Sequence, residues 1–250
     1  MKPPPFQYHA PTTIDEACSL LGSQEDAKVL AGGQSLVPLL NFRLARPAQL
    51  VDINRVEGLD RIYQRDGGIA VQALARQAEV EDSQLVSRLC PLLTAATRLV
   101  AHRVIRNRGT VCGSLAHADP ASELPAVLLA LGGHVIARSV RGERLIAAEQ
   151  LFKGVFETTL APDELLVEAW FPETVDSFAI LEESRRHGDF ALAGVVRAGA
   201  NLALFGVAPT PVLADRQDPT AGLQPTGDLE ATPEFRLHLI RVLTEKAFAA

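Results

Sequence analysis

Hydrophobic and polar positions change period several times along the chain, and the changes mark out its elements. Thr12 and Thr13 precede Ile14-Asp15-Glu16-Ala17-Cys18-Ser19-Leu20-Leu21, which reads as a capped amphipathic helix stopping at Gly22. Lys28-Val29-Leu30 predicts a short buried strand running into Ala31-Gly32-Gly33-Gln34-Ser35-Leu36. A helical stretch over 37–44 ends near Arg46-Pro47, and 49–53 reads as a strand. Residues 69–74 alternate with period two after a turn at Asp66-Gly67-Gly68. Helices are predicted over 80–89 and 91–102, the second with proline in its first turn.

From 106 to 120 the pattern breaks into a polar, glycine-containing loop, followed by an apolar helix over 122–131. Strands are predicted over 134–140, 165–170 and 178–183, with two more between 191 and 207 and a hairpin turn at Arg141-Gly142. Residues 215–233, rich in proline, glycine, aspartate and threonine, read as an extended loop. A final helix over 234–249 would be amphipathic through Phe235, Leu239, Val242, Leu243 and Phe248. Helices alternate with strands up to Phe171-Pro172; beyond it several strands come in succession before one helix. That is an α+β pattern with its boundary there.

Composition narrows the chemistry. The 250 residues carry 24 basic and 30 acidic side chains and are 47% hydrophobic, values of a globular chain without the basic footprint of a nucleic-acid binder. The three cysteines, Cys18, Cys90 and Cys112, form no Cys-x-x-Cys pair, so the chain by itself holds neither an iron–sulfur cluster nor a four-thiolate zinc site. Six histidines are scattered without a His-Glu-x-x-His pattern. The first ten residues carry three consecutive prolines and no apolar run, unlike a signal peptide, and apolar stretches such as 125–131 are too short to cross a bilayer. Reduced cysteines without a targeting segment suit the cytoplasm.

Two loops have the composition of binding sites. In Ala31-Gly32-Gly33-Gln34-Ser35-Leu36 the paired glycines let successive N–H groups converge on an anion, with the Ser35 hydroxyl and a helix N-terminus adding to them. A phosphate or pyrophosphate suits such a loop; an ordinary glycine turn would look the same. Neither Gly-x-x-x-x-Gly-Lys-Ser/Thr nor Gly-x-Gly-x-x-Gly occurs. In the second loop Thr110, Ser114, Asp119, Ser122 and Glu123 supply donors and acceptors for a polyhydroxylated ligand, and Gly109 and Gly113 allow close backbone approach. Taken singly, Asp119 reads as a turn residue before proline, His117 as a surface or packed histidine, and Cys112 as a packed small residue.

The first loop, with Asn41-Phe42-Arg43-Leu44-Ala45-Arg46-Pro47 and Val51-Asp52-Ile53-Asn54 downstream, resembles the FAD-binding medium subunit of molybdenum hydroxylases, the carbon monoxide dehydrogenase and xanthine dehydrogenase family. The stretch from Arg106 to Pro125 resembles that family's second flavin segment, and Ser184-Arg185-Arg186-His187-Gly188-Asp189-Phe190 the start of its C-terminal domain. The resemblance implies a two-lobed FAD-binding domain of the vanillyl-alcohol-oxidase-like type over 1–172 (lobes 1–56 and 57–172). A small, shortened antiparallel-sheet-plus-helix domain over 176–250 would follow. It also implies that Ala31, Gly32, Gly33, Gln34, Ser35 and Leu36, with Thr110, Gly113 and Ser114, hold the FAD pyrophosphate, and that Ser122 and Glu123, with Asp119 nearby, contact the ribityl chain.

The chain departs from the family at Cys112, where many relatives have glycine, and at Ser114, where they have Asn or Asp; both residues keep the needed donors, so retuned binding is expected. Residues after Pro211-Val212-Leu213-Ala214 are also fewer than the family pattern leads one to expect. By the same resemblance the chain passes electrons through FAD from a small iron–sulfur subunit to an external acceptor, while a large molybdopterin subunit oxidises substrate. No catalytic acid, base or nucleophile is then required, and no metal on this chain. The alternatives are a stand-alone flavin oxidoreductase of the wider fold and a scaffold subunit without flavin.

Overall fold

A computed structural model describes residues 2–174 and 177–249; Met1, Asp176 and Ala250, which bound the expected domains, and Val175 lie outside the described residues. The chain begins with β1 (Gln7–His9), α1 (Ile14–Ser23), β2 (Ala27–Leu30), α2 (Leu36–Asn41) and β3 (Gln49–Asp52). Thr13 caps α1 by accepting from the Glu16 N–H at 3.2 Å, and the Glu16 carboxylate accepts from Thr12 N–H at 2.9 Å. The strands form a parallel sheet in the order β1-β3-β2, in register Leu30 with Asp52. Parallel strands end on the same side, so the loop starting at Ala31 leaves the sheet beside Asp52. Helix α2 is shorter than the predicted 37–44 because Arg43 takes a left-handed φ of 58°, which ends the helical path.

The middle of the chain holds β4 (Ile62–Arg65), β5 (Gly68–Gln72), α3 (Gln77–Asp82), α4 (Gln84–Leu89), α5 (Pro91–Leu99), α6 (Arg103–Arg106), α7 (Val111–His117) and α8 (Glu123–Leu131). It continues with β6 (His134–Ser139), β7 (Gly142–Ala147), α9 (Ala148–Leu151), β8 (Phe152–Gly154), β9 (Glu157–Thr158) and β10 (Leu165–Pro172). An antiparallel five-stranded sheet in the order β4-β5-β10-β6-β7 carries the helices. Its core includes Ile69, Val71, Leu92, Leu93, Leu115, Leu124, Leu128 and Phe171.

Three expectations change here. The helix expected over 80–89 is two helices: Ser83 leaves the helical region (ψ 117°) and its hydroxyl accepts from Val86 N–H at 3.3 Å, starting α4. The helix expected to reach His102 stops at Leu99, because the buried Arg106 guanidinium, paired with Glu81 at 2.8 Å, draws in the carbonyls of Val100 and Ala101 at 2.9 and 3.2 Å. The predicted loop over 106–120 contains α7, started by Thr110, whose hydroxyl accepts from Gly113 N–H at 3.0 Å. Glycine and small polar residues hide that helix from a periodicity reading.

The C-terminal part comprises β11 (Phe178–Glu183), β12 (Ala193–Ala198), β13 (Asn201–Phe205), β14 (Val212–Leu213) and α10 (Pro233–Ala249). The strands form an antiparallel sheet in sequence order. Alternation sends Phe178, Ile180, Val196, Ala203 and Phe205 toward α8 and α5, and Ala179, Leu181, Val195, Leu202 and Leu204 toward α10. The face α10 buries is Arg236, Ile240, Leu243, Thr244 and Ala247; Phe235, assigned to it from the sequence, is 44% exposed. Arg236 decides the helix rotation. Its guanidinium donates to the carbonyls of Leu192 and Gly206 and pairs with Asp228 at 2.5 Å.

α8 is tied to this sheet at both ends, Gly206 N–H donating to Pro120 O at 2.8 Å and Asn201 Nδ2 to Ala130 O at 2.9 Å. Among the described residues no helix is long and apolar enough to cross a membrane. A Cβ at Gly194 would lie 2.1 Å from the buried Phe205 ring. Gly194→Ala should therefore lower stability by about 1–3 kcal/mol through overpacking, read as a shift in the denaturant midpoint at unchanged slope.

Candidate cofactor-binding site

The first glycine loop and the start of the second meet back to back. A Cβ on Gly32 would stand 2.3 Å from the Arg108 carbonyl oxygen and 2.9 Å from the Gly109 Cα, so only glycine permits the contact. Gly33 turns the chain with a φ of 74°. Among the described residues, the N–H groups of Gly33, Gln34 and Ser35 donate to no acceptor in the protein. Free N–H groups turned together on a glycine loop form an anion cradle.

A cleft of about 310 Å³ opens over this loop, lined by residues 30–34, Val37 and Pro38 on one side and by Asp52, Asn54 and Arg108 on the other. Its walls combine backbone donors, one guanidinium and, at the far edge, a carboxylate. Tyr8 donates to Asp52 at 2.6 Å and Asn54 N–H donates to it at 2.9 Å. Burial works against the charge on Asp52, but these hydrogen bonds outweigh it and hold the carboxyl below the usual range.

Arg76 joins the two loops. It donates through Nη1 to Arg108 O at 2.8 Å and through Nη2 to Asn54 Oδ1 at 2.6 Å, while Asn54 Nδ2 donates to Ala31 O at 2.8 Å. Next to it, Gln77 N–H donates to Gly109 O at 2.8 Å, and a Cβ on Gly109 would strike the Gln77 side chain at 2.4 Å. The start of α3 therefore clamps the second loop against the first. Asp52, Asn54, Arg76 and Arg108 were not singled out as site residues from the sequence. Val51-Asp52-Ile53-Asn54 stands out only as a family motif, and Arg76 carries no local signal because its partners lie 22 and 32 positions away.

The other expected residues follow along α7 and into α8. Thr110 is occupied as the cap of α7, and Ser114 and Ser122 bring their hydroxyls within 2.9 Å of each other, which joins the two helices. Asp119 accepts from Ala121 N–H at 2.9 Å, the turn role the sequence suggested. Cys112 is fully packed, donates to Val71 O, and burial pushes its thiol up. His117 stacks on Phe156 with ring centres 4.9 Å apart, and burial holds its imidazole below the usual range. Glu123, 7% exposed, is pushed up to about 8 by burial and by the nearby carboxylates of Glu182 and Asp119. Ser35 and Leu36 lie outside the cleft wall, and Ser35 is exposed. Among the described residues no cluster of three or more His, Cys, Asp or Glu could hold a metal ion.

These observations fit a dinucleotide cofactor: a glycine cradle that no side chain could share, unpaired N–H groups, and a guanidinium at its edge. Arg76→Ala should cost about 1.5–3 kcal/mol for the lost charged hydrogen bonds and loosen the loops, measured as a lower urea midpoint together with faster amide exchange at residues 31–35. Gly32→Ala should do the same through steric separation of the loops.

Residues 4–174 match the family model described as the FAD binding domain in molybdopterin dehydrogenase. The chain is 39% identical over 281 aligned positions to the 6-hydroxypseudooxynicotine dehydrogenase complex subunit alpha of Paenarthrobacter nicotinovorans, covering 100% of this chain and 95% of that one. An alignment of 281 positions over a chain of 250 leaves that relative with residues that have no counterpart here. Identity to the carbon monoxide dehydrogenase medium chain of Hydrogenophaga pseudoflava is 37% over 222 positions, covering 84% and 77%. In three dimensions it superposes on a solved carbon monoxide dehydrogenase of Hydrogenophaga pseudoflava with a TM-score of 0.94 at 32% identity, covering 100% of this chain and 98% of that one. Quinoline 2-oxidoreductase from Pseudomonas putida 86 gives 0.94 at 32% identity, covering 100% and 97%. The chain belongs to the FAD-binding medium subunits of the molybdopterin dehydrogenases, and FAD is its cofactor.

Proposed function

We propose that this chain is the electron-transfer subunit of a cytoplasmic molybdenum hydroxylase, receiving electrons from a small iron–sulfur subunit and passing them through FAD to an external acceptor. A large molybdopterin-binding subunit would carry substrate oxidation. The observation that carries the reading is the Gly32–Arg108 contact with its free N–H groups beside a guanidinium.

In this reading residues 1–172 enclose the cofactor between lobes 1–56 and 57–172, and 176–250 cover it. Ala31, Gly32, Gly33, Gln34, Ser35 and Leu36 hold the pyrophosphate, with Thr110, Gly113 and Ser114 on the opposite side. Ser122, Glu123 and Asp119 serve the ribityl hydroxyls. Arg76 and Asn54 hold the two loops of the cradle together, and Arg108 offsets the phosphate charge. FAD, once bound, supplies all the redox chemistry; the protein binds, orients and excludes water. The absence of a protein nucleophile or metal cluster from the role assigned to this chain follows from that division of labour.

Gly33→Asp places a carboxylate against the pyrophosphate and a side chain on a left-handed backbone, so the purified variant should lose its flavin absorbance. Retention at the wild-type level would overturn the cradle. The wild-type chain should co-purify with an iron–sulfur and a molybdopterin-binding chain. Rapid oxidation of a small organic molecule by the flavin-loaded chain alone would favour a stand-alone oxidoreductase instead.

A further inference from the structure

The motif Asn41-Phe42-Arg43-Leu44-Ala45-Arg46-Pro47 takes no part in the cradle. It closes α2 in a tight C-terminal turn, where Leu44 N–H donates to Leu39 O at 2.9 Å, Arg43 N–H donates to Leu40 O at 3.0 Å, and Arg43 sits at its left-handed φ of 58°. Glycine is the residue that fits such a position, because an L side chain is strained there. The turn carries arginine instead. Among the described residues its side chain makes a single, long hydrogen bond, from Nε to Lys2 O at 3.4 Å. Arg46 Nε in turn donates to Arg43 O at 3.0 Å. Strain kept at an exposed position points to a use for the side chain itself.

On either side of Arg43, Phe42 and Leu44 are 64% and 76% exposed. Val37, toward the start of α2, is exposed too and belongs to the wall of the cofactor cleft, so this apolar segment begins at the rim of the cleft. Its charge is one-sided. Residues 1–14 and 27–51 contain no Asp or Glu and carry Lys2, Lys28, Arg43 and Arg46, in a chain whose net charge is −6. Among the described residues none of these cations forms an ion pair, and the Nη groups of Arg43 and Arg46 donate to no acceptor. The acids that border the two runs are engaged elsewhere. Asp15 pairs with Arg138 at 2.6 Å, Asp26 accepts from Ala48 N–H at 3.0 Å, and Asp52 accepts from Tyr8 at 2.6 Å.

We propose that this segment is the docking face for a partner subunit, with Phe42 and Leu44 as apolar anchors and Lys2, Arg43 and Arg46 as the cations beside them. The surface it receives has an apolar centre rimmed by carboxylates, because guanidinium groups covered by a partner are costly unless that partner matches their charge. A second copy of this chain does not suit the face: a two-fold contact would set Arg43 and Arg46 against themselves. An extended polyanion, such as nucleic acid or an anionic membrane, would also meet the acidic remainder of the chain. The assignment rests on the reading above, in which this chain works inside a multi-subunit complex.

The test uses the assembled complex with the wild-type chain, with Arg43→Gly, with Arg43→Glu and Arg46→Glu together, and with Phe42→Ser and Leu44→Ser together. Arg43→Gly relieves the left-handed turn, so the chain's denaturant midpoint should equal or exceed the wild type's while its affinity for the partner falls about tenfold. A purely structural arginine would do the opposite, lowering the midpoint and leaving the affinity alone. The double charge reversal should weaken assembly about a hundredfold at low salt and less at high salt. The serine pair should weaken it at every salt concentration. Flavin absorbance should match the wild type throughout. In Arg43→Lys, carbodiimide coupling should join this chain to a partner subunit through one of the partner's carboxylates.

Loss of flavin in these variants, or coupling only to a second copy of this chain, would overturn the docking face. A wild-type chain that retains flavin but assembles with no partner sinks the complex reading and the face with it. Wild-type assembly that every variant reproduces at full affinity sinks the docking face alone.

Discussion

At Gly32 the backbone of one loop rests on the Arg108 carbonyl of another with no room for a side chain between them. Two polypeptide segments, one leaving a sheet and the other joining two helices, approach this closely only if something other than side-chain packing holds them. Here the Arg76 guanidinium does so, bonded to Arg108 O and, through Asn54, to Ala31 O. The parallel sheet positions the first loop beside Asp52, and the start of α3 positions the second. Each unit alone would present an ordinary turn. Beside their contact the N–H groups of Gly33, Gln34 and Ser35 have no acceptor among the described residues, and that unmet demand suits the site to an anion.

A second seam runs between α8 and the C-terminal sheet, held at its ends by Gly206 to Pro120 and Asn201 to Ala130. Apolar residues fill most of it, and the missing side chain at Gly194 accommodates the Phe205 ring. Against that background the buried carboxyl of Glu123 is costly, and a protein selected only for stability would replace it with a hydrophobic group. The buried ion pair of Arg106 with Glu81 shows the other solution: its charges are matched, and the guanidinium also satisfies two backbone carbonyls.

Legibility followed the range of the interaction. The capped helix at Ile14, the alternation in β5 and the hairpin at Arg141-Gly142 were readable because near neighbours in sequence cause them. The break at Ser83, the end of α5 at Leu99 and helix α7 were not. Arg106 reaches back to residues 81, 100 and 101, and α7 depends on a cap and on burial against β10 more than on helix propensity. In α10 the apolar pattern placed Leu239, Leu243 and Phe248 on the packed face correctly but added Phe235, which the helix leaves in solvent while it brings Arg236 to the sheet edge.

The sequence by itself determined the family and the cofactor class through the resemblance of its two glycine loops and the Val51-Asp52-Ile53-Asn54 motif; the residue types alone left an ordinary glycine turn open. It also determined what the chain lacks the ligands for, a cysteine-bound cluster of its own. Only the tertiary structure decided that Arg76 and Asn54 bind the two loops together and that Glu123, opening α8, is buried. The reason is physical: hydrogen bonds and charges act through space, and residues distant along the chain become partners only when packing brings them together.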